Sequence, residues 1–181
     1  YAVRGARIAG LMPGLAGPPD FWNVYLAVDD VDATTARVES AGGSVTAGPF
    51  DVGDHGRMSA IQDPTGARVN LWQATGNIGS QRANEAGAPT WNECVTPDPV
   101  RAAAFYGELL GLTTEEMDMG EMGTYRVLSN TDGHQVAGMM EPQGADHPPH
   151  WNAYFAVEDV DSAVSRLGGL GCPPCARRSS P

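Results

Sequence analysis

The sequence predicts an α+β protein built from tandem strand–helix–strand–strand–strand units, and three observations carry that prediction. One signature is written twice, as Trp22-Asn-Val-Tyr-Leu-Ala-Val-Asp-Asp-Val-Asp32 and as Trp151-Asn-Ala-Tyr-Phe-Ala-Val-Glu-Asp-Val-Asp161. The copies lie too far apart for a solenoid repeat and at the spacing of a duplicated domain. Within each copy, aromatic and β-branched strand formers give way to an Asp cluster and then to helical spacing of apolar residues. Finally, the stretch before the signature is repeated as well: Arg7-Ile-Ala-Gly-Leu-Met12 reappears as Gln135-Val-Ala-Gly-Met-Met140.

Taken in order, Arg7–Met12 reads as a strand and the Pro/Gly-rich 14–20 as a turn. The first signature strand runs over about Trp22–Val28. A helix at about Val31–Ala41 puts Val31, Thr35 and Val38 on one face and stops at Gly42-Gly43. Short strands follow near 44–49, 57–62 and 68–74, turned by Gly53–Gly56 and by Asp63-Pro-Thr-Gly66. Residues 75–90 are small, polar and aperiodic, the composition of a linker. The next unit opens with a strand at Trp91–Thr96 and a helix at Pro99–Leu110, with Asp98 as its cap, Pro99 at the first position and Gly111 past the end. Strands near 112–119, 123–129 and 134–140 complete it, and a Pro-rich turn over 143–150 leads to the second signature. In its helix Val160, Ala163, Val164, Leu167 and Leu170 form one stripe, with Asp159 placed to cap it.

The chain therefore divides into a partial domain at 1–74, a linker at 75–90, a second partial domain at 91–171 and a tail at 172–181. The sequence opens without Met and inside a repeat unit, and after Gly171 it turns to Cys, Pro, Arg and Ser without apolar period. The expectation is a chain truncated at both ends, its tail read out of frame or disordered. The incomplete units would then favour pairing as a homodimer.

The net charge of −11 argues against nucleic acid or anionic lipid as partner, and no apolar run is long enough to span a membrane. Three cysteines build no disulfide framework, which points to the cytoplasm, with secretion left open by the missing native start. Cys172-Pro-Pro-Cys175 matches a redox motif only by letter, since no strand precedes it and no helical stripe follows. His147 and His150 could hold a metal with Asp146, but a Pro-rich loop favours solvated histidines.

The pattern from Asp98 through Ala102, Phe105-Tyr106 and Leu109-Leu110 to Gly111, with Asp63-Pro-Thr-Gly66 before a last strand, resembles the vicinal oxygen chelate superfamily. That superfamily contains glyoxalase I, extradiol dioxygenases and bleomycin-resistance proteins; the tandem arrangement is most similar to two-domain glyoxalase-like proteins labelled hydroxylases. The resemblance implies modules that pair into half-open barrels of mixed β-sheet around a cavity holding a metal or an apolar ligand.

Metal-dependent members supply His or Gln from a module's first strand and Glu from its last. Aligned on the capping Asp, the first-strand positions here are Asn23, Trp91 and Asn152; aligned on the turn glycines, the last-strand positions are Ala9, Asn70 and Ala137. None is His or Glu, so no metal ligand and no cofactor is expected, a divalent ion being the minor alternative. Two residues along the same strands stand Tyr25, Glu93 and Tyr154, which period 2 sends to the same face. The expected ligand-binding set is Asn23, Tyr25, Asn70, Trp91, Glu93, Asn152 and Tyr154, with Glu93 as a candidate base and Tyr25 and Tyr154 beside it as candidate catalytic groups. The function expected is binding of a small, partly apolar organic molecule, sequestered or transformed without the usual metal. The alternatives are a metal-dependent lyase or oxygenase of glyoxalase type and a truncated product with no function of its own.

Overall fold

The structure is a computed structural model that describes residues 1–11, 22–144 and 147–170. Met12, the turn over 14–20, Asp146 and the 172–181 tail with its two cysteines lie outside the described residues. A hairpin of β1 (Ala2–Val3) and β2 (Ala6–Arg7) comes first, so the strand expected over Arg7–Met12 is confined to its start. The reason lies in its partner: beyond Arg7 the backbone bonds to Gln81 and to the chain's own start rather than to a neighbouring strand.

The first full unit comprises β3 (Tyr25–Ala27), α1 (Val31–Arg37), β4 (Ser44–Val52), β5 (Gly56–Gln62) and β6 (Arg68–Ala74). Asp30 caps α1, its Oδ1 accepting from Ala33 N at 2.9 Å. Val31, Thr35 and Val38 are buried together, as their spacing requires. The helix is shorter than expected because Gly43 N reaches back to Val38 O at 2.9 Å and turns the chain out. The sheet runs β3-β6-β5-β4, with β3 parallel to β6 and the other pairs antiparallel.

The second unit repeats this plan with β7 (Pro89–Val95), α2 (Pro99–Leu110), β8 (Thr113–Asp118), β9 (Thr124–Ser129) and β10 (Gln135–Met140). Asp98 caps α2 and Gly111 closes it in a left-handed turn (φ 70°). β7 is parallel to β10, as β3 is to β6. β7 also takes in Pro89 and Thr90, which composition assigned to the linker. The signature strand β11 (His150–Phe155) adds antiparallel to β7 and gives a five-stranded sheet, β11-β7-β10-β9-β8. Neither mixed sheet closes into a barrel. The helix α3 (Val160–Gly169) ends the described chain, capped by Asp159 through Ser162 N at 2.8 Å. Its stripe of Val160, Val164, Leu167 and Leu170 is exposed, so its sequence period specifies the helix while no described strand covers that face.

The two units share one core, in which Val31, Val38, Ile61, Phe105, Tyr106 and Leu128 are buried together. At its centre lies a charge. Asp63, in the Asp-Pro-Thr-Gly turn of the first unit, is buried. Its Oδ1 accepts from the backbone of Thr65, Gly66 and Ala67 and from the Thr65 hydroxyl, and its Oδ2 accepts from Tyr106 Oη of the second unit at 3.1 Å. Trp151 Nε1 in turn donates to Tyr106 Oη at 3.1 Å. A buried carboxylate is tolerated only when its lone pairs are filled this way, so the turn fixes how the units meet. Gly43 marks how closely they approach: a Cβ there would lie 2.8 Å from the Phe105 ring.

Candidate functional site

Alternation along the strands sorts the five-stranded sheet into two faces. One face carries Cys94, Leu128, Ala137, Met139 and Trp151 into the shared core. The opposite face carries Trp91, Glu93, Asn152, Tyr154, Tyr125 and Gly138, placed side by side by the register: Glu93 lies beside Gly138 on β10 and beside Asn152 on β11, and Trp91 beside Tyr154.

Glu93 is the centre of that face, 7% exposed. Both its carboxylate oxygens accept from phenols. Tyr154 Oη donates to Oε1 at 2.7 Å, and Tyr125 Oη donates to Oε2 at 3.0 Å. Trp91 Nε1 donates to Tyr125 Oη at 2.7 Å, so the network runs from indole to phenol to carboxylate. Burial pushes the Tyr125 phenol up to about 12; the Glu93 charge adds to the rise and the Trp91 bond opposes it. A cavity of about 190 Å³ opens above this network, lined by Glu93, Glu141, His147, His150, Asn152 and Tyr154 among others, with Val95 and Met140 as apolar wall.

Asn23, Tyr25 and Asn70 lie on the other sheet. Asn70 Nδ2 donates to Asn23 Oδ1 at 3.3 Å, and Tyr25 stands edge-on to Trp72, ring centres 5.9 Å apart. Burial raises the Tyr25 phenol even though 45% of the residue remains exposed. The structure thus gathers Trp91, Glu93, Asn152 and Tyr154 on one face and leaves Asn23, Tyr25 and Asn70 as a separate group that lines no part of this cavity.

One position is corrected. The last-strand counterpart of Asn70 is Gly138, not Ala137: Tyr25 pairs with Asn70, and Glu93, its equivalent, pairs with Gly138. A bulge between Gln135 and Ala137 inserts one residue into β10, which counting from the turn glycine does not see. Ala137 faces the core instead. Two site residues escaped the sequence reading altogether, Tyr125 and Gly138. The available signal was a glycine in mid-strand, a frequent sign that another group approaches the backbone closely. A Cβ on Gly138 would stand within van der Waals overlap of Tyr125 Oη and 2.8 Å from Trp91 Nε1.

The residues present do not fit the metal of the resembling enzymes. The positions that would supply its ligands hold Asn23, Trp91, Asn152, Asn70 and Gly138, and the buried Glu93 carboxylate beside them already accepts two phenols. Among the described residues, no three His, Cys, Asp or Glu side chains come together as a metal site would need.

The comparisons agree with this architecture. The model of the Glyoxalase/Bleomycin resistance protein/Dioxygenase superfamily matches residues 7–71 and 91–175. The chain belongs to that superfamily. The protein named "Putative glyoxylase CFP32" of Mycobacterium tuberculosis is 47% identical over 167 residues, covering 92% of this chain and 64% of its own. The anthracycline biosynthesis protein DnrV of Streptomyces peucetius is 40% identical over 157 residues, covering 86% of this chain and 56% of its own. The chain thus spans less than two thirds of the length of these curated relatives. Among solved structures, the Mn(II)-bound glyoxalase of Novosphingobium aromaticivorans superposes with a TM-score of 0.55 at 21% identity over 81% of this chain and 50% of that one. The 2,2',3-trihydroxybiphenyl 1,2-dioxygenase of Sphingomonas wittichii gives 0.53 at 17% identity, over 81% and 57%. At such identities the superposition speaks for the fold alone. The superfamily chain described here carries no helix both long and apolar enough to cross a membrane among its described residues.

Proposed function

We propose that this superfamily member binds a small, partly apolar organic molecule in the cavity over the five-stranded sheet and holds or transforms it without the metal of the glyoxalases. The observation that carries the reading is the buried Glu93 carboxylate, fixed by two phenols at the floor of an open cavity. Unlike Asp63, which is sealed in the core, Glu93 lines an open space, and ligand pockets combine apolar walls with a few oriented polar groups in this way. Relatives named for glyoxylase and for anthracycline biosynthesis support a small-molecule ligand over a macromolecular one.

Where chemistry follows binding, Glu93 is the proton acceptor and Tyr154 the group between it and the ligand. Tyr154 passes its hydroxyl proton to Glu93 Oε1 across 2.7 Å and takes a proton from the ligand in the same movement, so the phenol is restored and the carboxylate is protonated. Tyr125 and Trp91 hold the second carboxylate oxygen and prevent Glu93 from rotating away.

The test is native mass spectrometry of the purified protein, followed by identification of any small molecule released on denaturation. A single organic species retained by the wild type and lost in Glu93→Gln and Tyr154→Phe is the expected result. A stoichiometric divalent ion, removed by chelator together with the bound molecule, would overturn the reading.

A further inference from the structure

We infer that the cavity selects a ligand that donates hydrogen bonds, and among those a protonated amine on a small apolar body, over any carboxylate of the same shape. The inference deepens the proposed pocket function and rests on it.

Two carboxylates in the lining, together with the directions of the hydrogen bonds made by the groups around them, carry it. The phenol protons of Tyr125 and Tyr154 both point at Glu93, so neither is directed at a ligand. The nearest indole donor, Trp91 Nε1, is engaged by Tyr125. His150 Nδ1 sits 2.8 Å from the carbonyl oxygen of Pro148. A carbonyl only accepts, so Nδ1 carries a hydrogen and spends it on Pro148. Gln143 spends one N–H on Met122 O at 3.1 Å, which leaves its carbonyl oxygen and its second N–H unspent by that bond. Glu93 and Glu141 add two carboxylates to the lining, and among the described residues no arginine takes part in it. Three elements (β7, β11 and the loop between β10 and β11) therefore bring acceptors and negative charge to one space, with Val95 and Met140 as its apolar side.

Size narrows the class further. About 190 Å³ is somewhat more than the ~150 Å³ that accommodates benzene in an apolar cavity, so one ring bearing a short head group fills it. An ammonium there meets Glu93 and Glu141 by charge-assisted bonds, the strong kind. A carboxylate meets like charge from both, with only amide N–H groups such as that of Asn152 to set against it.

The experiment uses three probes that share one ring: benzylamine, benzyl alcohol and benzoate, titrated into the whole chain near neutral pH by ligand-observed NMR and calorimetry. The expected order is benzylamine over benzyl alcohol by about tenfold, with benzoate unbound, the gap corresponding to one charge-assisted bond. Glu93→Gln should erase most of the benzylamine advantage; Glu141→Gln, at the exposed rim, should reduce it and serves where the first variant does not fold. Benzoate binding as well as or better than benzylamine sinks the inference and leaves the pocket standing. Equal binding of all three does the same. Failure of every probe to bind removes the pocket reading itself, and the inference with it.

Discussion

Substituting Gly138 by alanine tests the site through a single methyl group. The added Cβ collides with the Tyr125 ring, so Tyr125 must leave its place against β10. Two hydrogen bonds go with it, that from Trp91 Nε1 at 2.7 Å and that to Glu93 Oε2 at 3.0 Å. A neutral bond of this kind is worth ~0.5–1.5 kcal/mol net and one to a charged partner ~1.5–3 kcal/mol. Tyr125 is only half-buried, so water recovers part of that, and the expected loss is about 2–3 kcal/mol. Urea unfolding followed by tryptophan fluorescence measures it as a fall in midpoint at unchanged slope. The decisive arm repeats the substitution in a Tyr125→Ala background, where the nearest collision partner is gone and only the Trp91 indole, 2.8 Å from the new Cβ, has to shift, so the further cost should be clearly smaller than in the wild type. An unchanged midpoint in Gly138→Ala, or the same cost in both backgrounds, would refute the packing argument for the network.

Three further outcomes are expected. Tyr106→Phe leaves Asp63 Oδ2 and Trp151 Nε1 buried without the hydroxyl that joins them, and should cost about 2–4 kcal/mol of stability by denaturant unfolding; a loss under 1 kcal/mol would mean that water or repacking replaces the bond. Burial, and after it the charges of Asp63 and Glu93, push the Cys94 thiol up, so alkylation at neutral pH read by peptide mass spectrometry should leave Cys94 unmodified until the protein unfolds. Tyr125 should titrate near 12 by phenolate absorbance, resolved by difference from Tyr125→Phe. Its folded value lies above the free one near 10, so its contribution to stability is complete below pH 10 and is lost as pH rises towards 12.

The repeat made most of this fold legible before any coordinate. Asp30, Asp98 and Asp159 each cap the helix that their position announces, because capping depends on residues a few places apart. Strand parity likewise put Trp91 and Glu93 on one face, since period 2 is local. What stayed hidden was non-local. Tyr125 reaches Glu93 from β9, across β10, and only the sheet order shows that Gly138 clears its path. The bulge after Gln135 moved the counterpart of Asn70 by one residue, and a bulge leaves no period to read. Asp63 looked like turn chemistry alone, and its turn does use one carboxylate oxygen. The other oxygen answers to Tyr106, a partner 43 residues on.

That second oxygen also makes the two repeats unequal. In the matching turn of the second unit stands Asn130, whose Oδ1 holds Asp132 N and His134 N as Asp63 holds its own turn. Counted from the helix caps, the counterpart of Tyr106 in α1 is Val38, which has no hydroxyl to give. The junction therefore has a head and a tail: an acidic plug on one unit and a socket for it on the other. Copies of the same unit cannot stack on themselves through this contact without burying either a lone carboxylate or a lone phenol. The two halves are not interchangeable at this contact, which gives their junction a polarity and a fixed order in which they can be joined.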